Sequence, residues 1–374
     1  MDITQQSFLF SVSKELFSSI VLKTEKITGK TLSLPILSNI LFEVKNKKLT
    51  VRATNLDIGI EALLPIKVSG EGSVAVPAHI LSNLLNTLNS SVKTVTCTIE
   101  NGNMTISADG IVTVIKCVSP EEFPILPIVS DGQSFSLEGK KLVLGIQSVV
   151  YAASVSDIKP ELASVYIYPE HDDIVFVATD SFRLAEKKIK EKNTINWGGV
   201  LIPFRNAQEL IRIFEDIDGG IDVRFNDHQI VMEHEGIYVT SRIIHGSFPD
   251  YYQIIPKEYT TTAIILKNDL LNAFKISGVV ANTFRQTTLL VNPKQKTFTI
   301  ETKNADVGSS IIPIQTSLTG EEITINVNYK YITDAFSSIT TDSLHLAFSG
   351  KGRPIVITPI GDKTFTYLVM PMNR

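Results

Sequence analysis

The stretch Gly72-Ser-Val-Ala-Val-Pro77, followed by Leu81, Leu84, Leu85 and Leu88, decides the reading of this chain because its pattern occurs three times. The second copy is Gly199-Val-Leu-Ile-Pro203 followed by Ala207, Leu210, Ile211 and Phe214. The third is Ile323-Thr-Ile-Asn-Val-Asn328 followed by Ile332, Ala335, Phe336 and Ile339. The leading apolar positions stand 126 and 125 residues apart, and in each copy the apolar residues fall at offsets 0, 3, 4 and 7. That spacing puts them on one face of a helix. In two copies a proline stands near the first turn, where a missing backbone N–H costs nothing. One strand-to-helix unit is used three times.

Other landmarks keep the period. Leu49-Thr-Val-Arg-Ala-Thr54 matches Ile174-Val-Phe-Val-Ala-Thr179, with a looser copy at Phe298-Thr-Ile-Glu-Thr302. Phe123-Pro124 matches Phe248-Pro249, and Ser7-Phe8 matches Ser134-Phe135. Three further amphipathic helices carry Val12/Leu16/Ile20, Leu142/Ile146/Val149 and Leu266/Leu270/Phe274. Alternating runs at 92–99, 104–107, 111–118, 221–225 and 237–243 are separated by turn pairs such as Asn101-Gly102 and Asp109-Gly110, as strands of hairpins are. The pattern predicts an α+β fold of three repeated domains, 1–128, 129–256 and 257–374, each with two helices against antiparallel sheets.

The composition excludes several classes. The 35 Lys+Arg against 39 Asp+Glu give a net charge of −4, which argues against gripping nucleic acid by bulk positive charge. Only Cys97 and Cys117 occur, too few for a disulfide framework or a cysteine zinc site, and both lie in alternating apolar runs. No signal sequence and no apolar run of membrane-spanning length is visible, so a cytoplasmic protein without a membrane span is expected. Gly29-Lys30-Thr31 resembles the end of a phosphate-binding loop, but position 24 is Thr where that loop needs Gly. His228 and His234 would share a strand face, yet no third ligand has metal-site spacing. The run from Glu186 to Lys192 reads as a solvated strand end. No catalytic constellation is visible, so neither an enzyme nor a cofactor is expected.

Four segments, Leu34-Pro-Ile-Leu-Ser-Asn-Ile40, Ala178-Thr-Asp-Ser-Phe-Arg-Leu-Ala185, Gly246-Ser-Phe-Pro-Asp-Tyr251 and Tyr367-Leu-Val-Met-Pro-Met372, resemble the bacterial sliding clamp, the beta subunit of the replicative DNA polymerase. The resemblance spans the whole chain. It implies clamp domains in a head-to-tail dimeric ring around duplex DNA, tethering polymerase and performing no chemistry. It also implies a cleft for short linear peptides, with Gln, Leu and Phe as anchors, from the polymerase, the clamp loader and repair proteins. Residue by residue, that cleft falls on Leu162, Thr179, Arg183, Leu184, Pro249, Ile254, Leu368 and Met370. A second lobe falls on Phe284, Asn328, Tyr331, Pro354, Pro371 and Met372. Flexible thioethers at Met370 and Met372 suit a surface that must fit several peptides. Ser181 and Phe182 depart from the family, where Gly and His are common.

The predicted helices supply Lys14, Lys140, Arg205, Arg212, Lys267, Lys275 and Lys330 as candidates to face DNA, and the resemblance adds Lys23, Lys30 and Lys159. For ring closure it implies pairing of the 111–118 strand with an edge strand of the third domain, with Thr113 and Val279 at the contact. The alternative is a three-domain protein-interaction scaffold that does not encircle DNA. The acidic excess belongs to 126–256, with 12 basic and 19 acidic residues, against 11 and 11 before it and 12 and 9 after it.

Overall fold

Ser13, Pro77 and Asn328 each stand where an extended strand turns into a helix, and each solves the problem of unpaired N–H groups differently. The Ser13 hydroxyl accepts from the Leu16 N–H and the Asn328 side chain from the Lys330 N–H, whereas Pro77 has no N–H to satisfy. These features come from a computed structural model, which describes residues 7–29, 34–191 and 197–372.

The first repeat contains β1 (Ser7–Ser13), α1 (Lys14–Ile27), β2 (Asn39–Lys45), β3 (Lys48–Thr54), β4 (Ile58–Leu64), β5 (Val68–Pro77), α2 (Ala78–Thr87), β6 (Thr94–Glu100), β7 (Asn103–Ala108) and β8 (Ile111–Lys116). The second contains β9 (Gln133–Glu138), α3 (Gly139–Val149), β10 (Ser164–Glu170), β11 (Asp173–Thr179), β12 (Arg183–Lys190), β13 (Val200–Pro203), α4 (Phe204–Phe214), β14 (Gly220–Phe225), β15 (Gln229–His234) and β16 (Ile237–Arg242). The third contains β17 (Thr261–Leu266), α5 (Lys267–Val279), β18 (Gln286–Asn292), β19 (Thr297–Asn304), β20 (Gly308–Ile314), β21 (Thr316–Gly320), β22 (Ile323–Asn328), α6 (Tyr329–Asp334), β23 (Ser343–Phe348), β24 (Ile355–Pro359) and β25 (Phe365–Val369). Two helices stand in each repeat, but Val12 and Leu266 fall in the preceding strands β1 and β17, and α6 ends before Ala335, Phe336 and Ile339. In α4 the buried stripe is Ala207, Leu210, Ile213 and Phe214, so Ile213 takes the place expected of Ile211.

The chain folds as two compact units, 1–140 with 209–243 and 141–208 with 244–374. In the first, twelve strands form one sheet in the order β8-β7-β6-β1-β5-β2-β3-β4-β16-β15-β14-β9. In the second, nine strands run β13-β10-β11-β12-β25-β24-β23-β17-β21, and a separate sheet runs β20-β19-β18-β22. The sheets therefore do not stop at the repeats. Strand β4 pairs antiparallel with β16, Ile60 opposite Val239, and β12 with β25, Leu184 opposite Leu368. Joining strands from different repeats satisfies edges that would otherwise present unpaired backbone groups.

The core of the first unit is built on rings. Phe10 stacks on Phe42 at 6.2 Å and meets Phe17 edge-on at 5.9 Å, all three fully buried. Strand β5 carries two jobs, pairing β1 with its first half and β2 with its second; in the third repeat β21 and β22 divide them. Gly70 and Gly320, two periods apart, have φ of +84° and +100°, and a Cβ on either would overlap a backbone carbonyl oxygen, that of Ser7 or Thr260. Only glycine fits. Replacing Gly320 by Ala is expected to cost about 2–4 kcal/mol from left-handed strain and overlap together, read as a lower chemical-denaturation midpoint.

Two readings are corrected. Glu186 and Lys187 are buried, so the charged run is not a solvated strand end: Lys187 donates to Thr364 Oγ1 at 2.6 Å and meets Asp362 at 3.3 Å. Lys192 lies outside the described residues. His228 precedes β15 and so does not share a strand face with His234, whose Nδ1 bonds the Gly220 carbonyl at 2.9 Å. Among the described residues no three His, Cys, Asp or Glu side chains are placed to hold a metal ion, and no helix is long and apolar enough to cross a membrane.

Candidate functional site

Strand pairing in the second unit brings two of the expected cleft residues together. Leu184 and Leu368, opposite each other on β12 and β25, are buried in one cluster with Val175, Val177, Tyr251, Ala347 and Val356. Ile255, packed against this cluster, lines an open cleft of about 750 Å³ with Ile254, Pro354, Met370, Tyr252, Lys257 and Arg353, and Leu184 and Leu368 are not in its lining. Ile254 is 49 % exposed although apolar, as a contact surface requires. Pro371 and Met372 line a second cleft of about 610 Å³ over the outer face of the β18-β19-β22 sheet.

A polar cluster is centred on the turn before Leu184. Thr179 Oγ1 donates to the Arg183 carbonyl at 2.7 Å and accepts from the Ser181 N–H at 3.1 Å, holding a turn in which Ser181 has φ of +75°. The next residue, Phe182, is 60 % exposed, and its carbonyl accepts from the Met370 N–H at 2.8 Å. The Arg183 guanidinium donates to Asp180 at 2.9 Å and Asp334 at 2.7 Å and lies 4.7 Å over the Tyr331 ring. Asn328 is spent capping α6, and Phe284 is 70 % exposed. Leu162 and Pro249 do not line either cleft; Leu162 is buried and Pro249 exposed.

Sequence reading missed the tyrosines that hold the 248–256 connector. Tyr168 Oη bonds Tyr251 Oη at 2.7 Å and Tyr252 Oη at 3.0 Å; Tyr251 donates to the buried Glu186 at 2.5 Å and Tyr252 to Glu170 at 2.8 Å. The alternation of Tyr166 and Tyr168 on β10, beside Tyr251-Tyr252, was the available signal. Burial pushes Glu186 above the usual carboxylate range, and the Tyr251 hydrogen bond offsets this only in part. Burial also pushes Glu170 up, but the Lys188 ammonium at 2.5 Å and the Tyr252 hydroxyl outweigh it, and the net shift is down. A raised folded-state pKa gives stability that is present at acid pH and lost as pH rises through it. Glu186→Gln is therefore expected to raise the melting temperature at neutral pH by a few degrees. The gain should vanish toward pH ~4, the unfolded carboxylate value.

The candidate DNA-facing cations separate by partner. Lys23 is buried, donates to the Ile213 carbonyl and pairs with Asp216, so it is withdrawn as a phosphate contact. Lys14, Lys140 and Lys267 occupy one repeat position and make one structural tie. Lys14 donates to the Leu88 carbonyl at 3.0 Å and Lys267 to that of Ile339 at 2.6 Å, while Lys140 pairs with Asp218. Each brings a cation to the segment that closes or follows its repeat's second helix, to a carbonyl for Lys14 and Lys267 and to an exposed carboxylate for Lys140. Arg212 pairs with Glu209 at 2.6 Å and Lys330 with Asp334 at 2.5 Å. Lys159, Arg205 and Lys275 are exposed, and Lys30 lies outside the described residues.

Two sheet ends carry apolar surface. On β8, the end of the twelve-strand sheet, Val112 and Val114 are 65 % and 59 % exposed beside the half-exposed Thr113. On β20, the end of the four-strand sheet, Ile311 is 66 % exposed, and Val279 at the end of α5 is 78 % exposed.

Comparison with known proteins places this arrangement. Three models of one family match in order: the DNA polymerase III beta subunit N-terminal domain over 8–127, its central domain over 136–250 and its C-terminal domain over 252–373. The beta sliding clamp of Synechococcus elongatus is 26% identical over 366 residues, covering 96% of this chain and 97% of that protein. That of Streptococcus pneumoniae is 26% identical over 378 residues, covering 97% and 99%. The DNA polymerase III beta subunit of Thermotoga maritima has the same fold, with a TM-score of 0.93 at 22% identity over 98% of this chain and all of that one. So has a Pseudomonas aeruginosa sliding clamp bound to griselimycin, at 0.90 and 21% over the same shares. The chain belongs to the DNA polymerase III beta subunit family, the sliding clamps, which are processivity factors without catalytic activity of their own.

Proposed function

We propose that two copies of this chain close head to tail into a ring around duplex DNA in the cytoplasm and hold the replicative polymerase, the clamp loader and repair proteins by short linear peptides. The observation that carries this reading is the run of three family models, one per repeat, over nearly the whole chain. Closure joins β8 of one copy to β20 of the other, so that backbone hydrogen bonds set register while the exposed valines and Ile311 supply an apolar contact. A ring that holds DNA by topology needs only weak, sequence-blind attraction to phosphate. Lys159, Arg205 and Lys275, with the ion-paired Arg212 and Lys330, are enough cations for that, and the acidic net charge is no obstacle. The peptide cleft is the one lined by Ile254, Pro354 and Met370 beside the Leu184-Leu368 cluster.

Loading onto nicked circular DNA tests the reading. A ring stays on the closed circle and slides off once the circle is cut. Loss at equal rates from circular and linear DNA would favour a scaffold that never encircles its template.

A further inference from the structure

The two clefts of the second unit are separated by one ridge and share both of its segments. The turn between β23 and β24 gives Arg353 and Pro354 to the first cleft and Lys351 and Gly352 to the second; the tail after β25 gives Met370 to the first and Pro371 and Met372 to the second. The tail is fixed on the ridge, since the Met370 N–H donates to the Phe182 carbonyl and the Met372 N–H to that of Asn326, each at 2.8 Å. Gly350 and Gly352, with φ of +110° and +75°, form the sharp turn that carries Lys351. The second cleft is polar, crossed by Thr288, which donates to Asn326 Oδ1 at 2.7 Å. Its walls hold Lys303 and Lys351 against one carboxylate, Glu301, already 2.7 Å from Lys303. The first cleft likewise holds Lys257 and Arg353 against Asp250.

We infer that the second cleft is an extension of the peptide site, taking the residues that flank the anchor motif of a bound linear peptide and selecting acidic ones through Lys351 and Lys303. This rests on the peptide-cleft reading above. The anchors occupy the apolar first cleft; the flanking chain crosses the tail and lies extended over the outer face of β18 and β22. There the Gln286, Thr288 and Asn326 side chains offer hydrogen bonds without demanding a particular sequence. Four cations against two carboxylates along this path favour a carboxylate-rich flank over a basic one.

The test uses the full chain and three synthetic peptides in fluorescence anisotropy: the Gln, Leu and Phe anchors alone, the anchors extended at both ends with Asp and Glu, and the same extension with Asn and Gln. The acidic extension is expected to bind about threefold to fivefold tighter than the neutral one at low salt. The advantage should shrink as salt rises. Lys351→Glu with Lys303→Glu should abolish it while binding the anchor-only peptide like the parent chain. Equal binding of the acidic and neutral extensions, or an acidic preference that survives both substitutions, overturns the inference. Failure of the anchor-only peptide to bind overturns the peptide-cleft reading itself and the extension with it.

Discussion

Val114→Lys should leave the chain folded and move its solution mass from about twice 41.2 kDa to 41.2 kDa at micromolar concentration. The side chain is 59 % exposed on the end strand β8, so lysine there disturbs no core within the chain. In the ring proposed above the same position faces the partner copy's apolar edge. An ammonium held there without a counter-charge costs about 3 kcal/mol at each of the ring's two contacts, or about ten-thousandfold in the dissociation constant to monomers. The loss of closure should carry with it the loss of retention on circular DNA. Val155→Lys is the control: that valine is 74 % exposed in the segment between α3 and β10, outside every strand, and its substitution should leave the mass unchanged. A Val114→Lys chain that stays dimeric at nanomolar concentration would place the interface elsewhere.

Arg183→Met is expected to have the largest effect within the peptide site, lowering unfolding free energy by about 2–4 kcal/mol. The guanidinium is 12 % exposed and is the cation between Asp180 and Asp334, themselves 14 % and 18 % exposed. Methionine keeps the bulk over Tyr331 and removes the charge, leaving Asp180 without this cation and Asp334 with Lys330 alone in a poorly solvated place. Adding Asp334→Asn should return part of the loss, and that recovery separates an electrostatic cause from a packing one. Arg183→Lys should recover less than the parent, since an ammonium cannot form the planar fork that reaches both carboxylates. Peptide affinity should fall with Arg183→Met, because the same turn presents Phe182 to the tail at Met370. Stability within 0.5 kcal/mol of the parent, roughly the scatter of surface substitutions, would assign Arg183 a lesser role.

The helices were legible in the sequence because their signal is local: three or four apolar residues at helical spacing, repeated at a fixed period. The sharing of sheets between repeats was not. Strands β4 and β12 do not alternate cleanly, with Leu184 to Lys187 all buried in β12, and nothing in either segment tells whether the neighbour comes from the same repeat or the next. The site divides in the same way. Ile254 and Met370 were placed by resemblance and line one cleft, whereas Phe284 and Asn328 do not line it. Lys14 and Lys267 carry ties that sequence alone does not show, whereas Lys140 stays exposed in its ion pair. A lysine in the first turn of a helix is indistinguishable in sequence from a solvated one until the carbonyl it reaches is brought up by the segment closing or following its repeat's second helix.

The pairing of β12 with β25 has a consequence for how the chain is made. Residue 184 leaves the ribosome long before its partner at 368, and until then β12 is a strand with one open side. Neither the nine-strand sheet nor the Leu184-Leu368 cluster beside the peptide cleft can be completed before the 365–369 segment emerges. Late, long-range closure of this kind is slow, since a large loop must be ordered before its contacts repay it. The clamp's capacity to receive partners is thus withheld from incomplete chains, and a nascent chain stalled before β25 exposes an adhesive edge in place of a binding site.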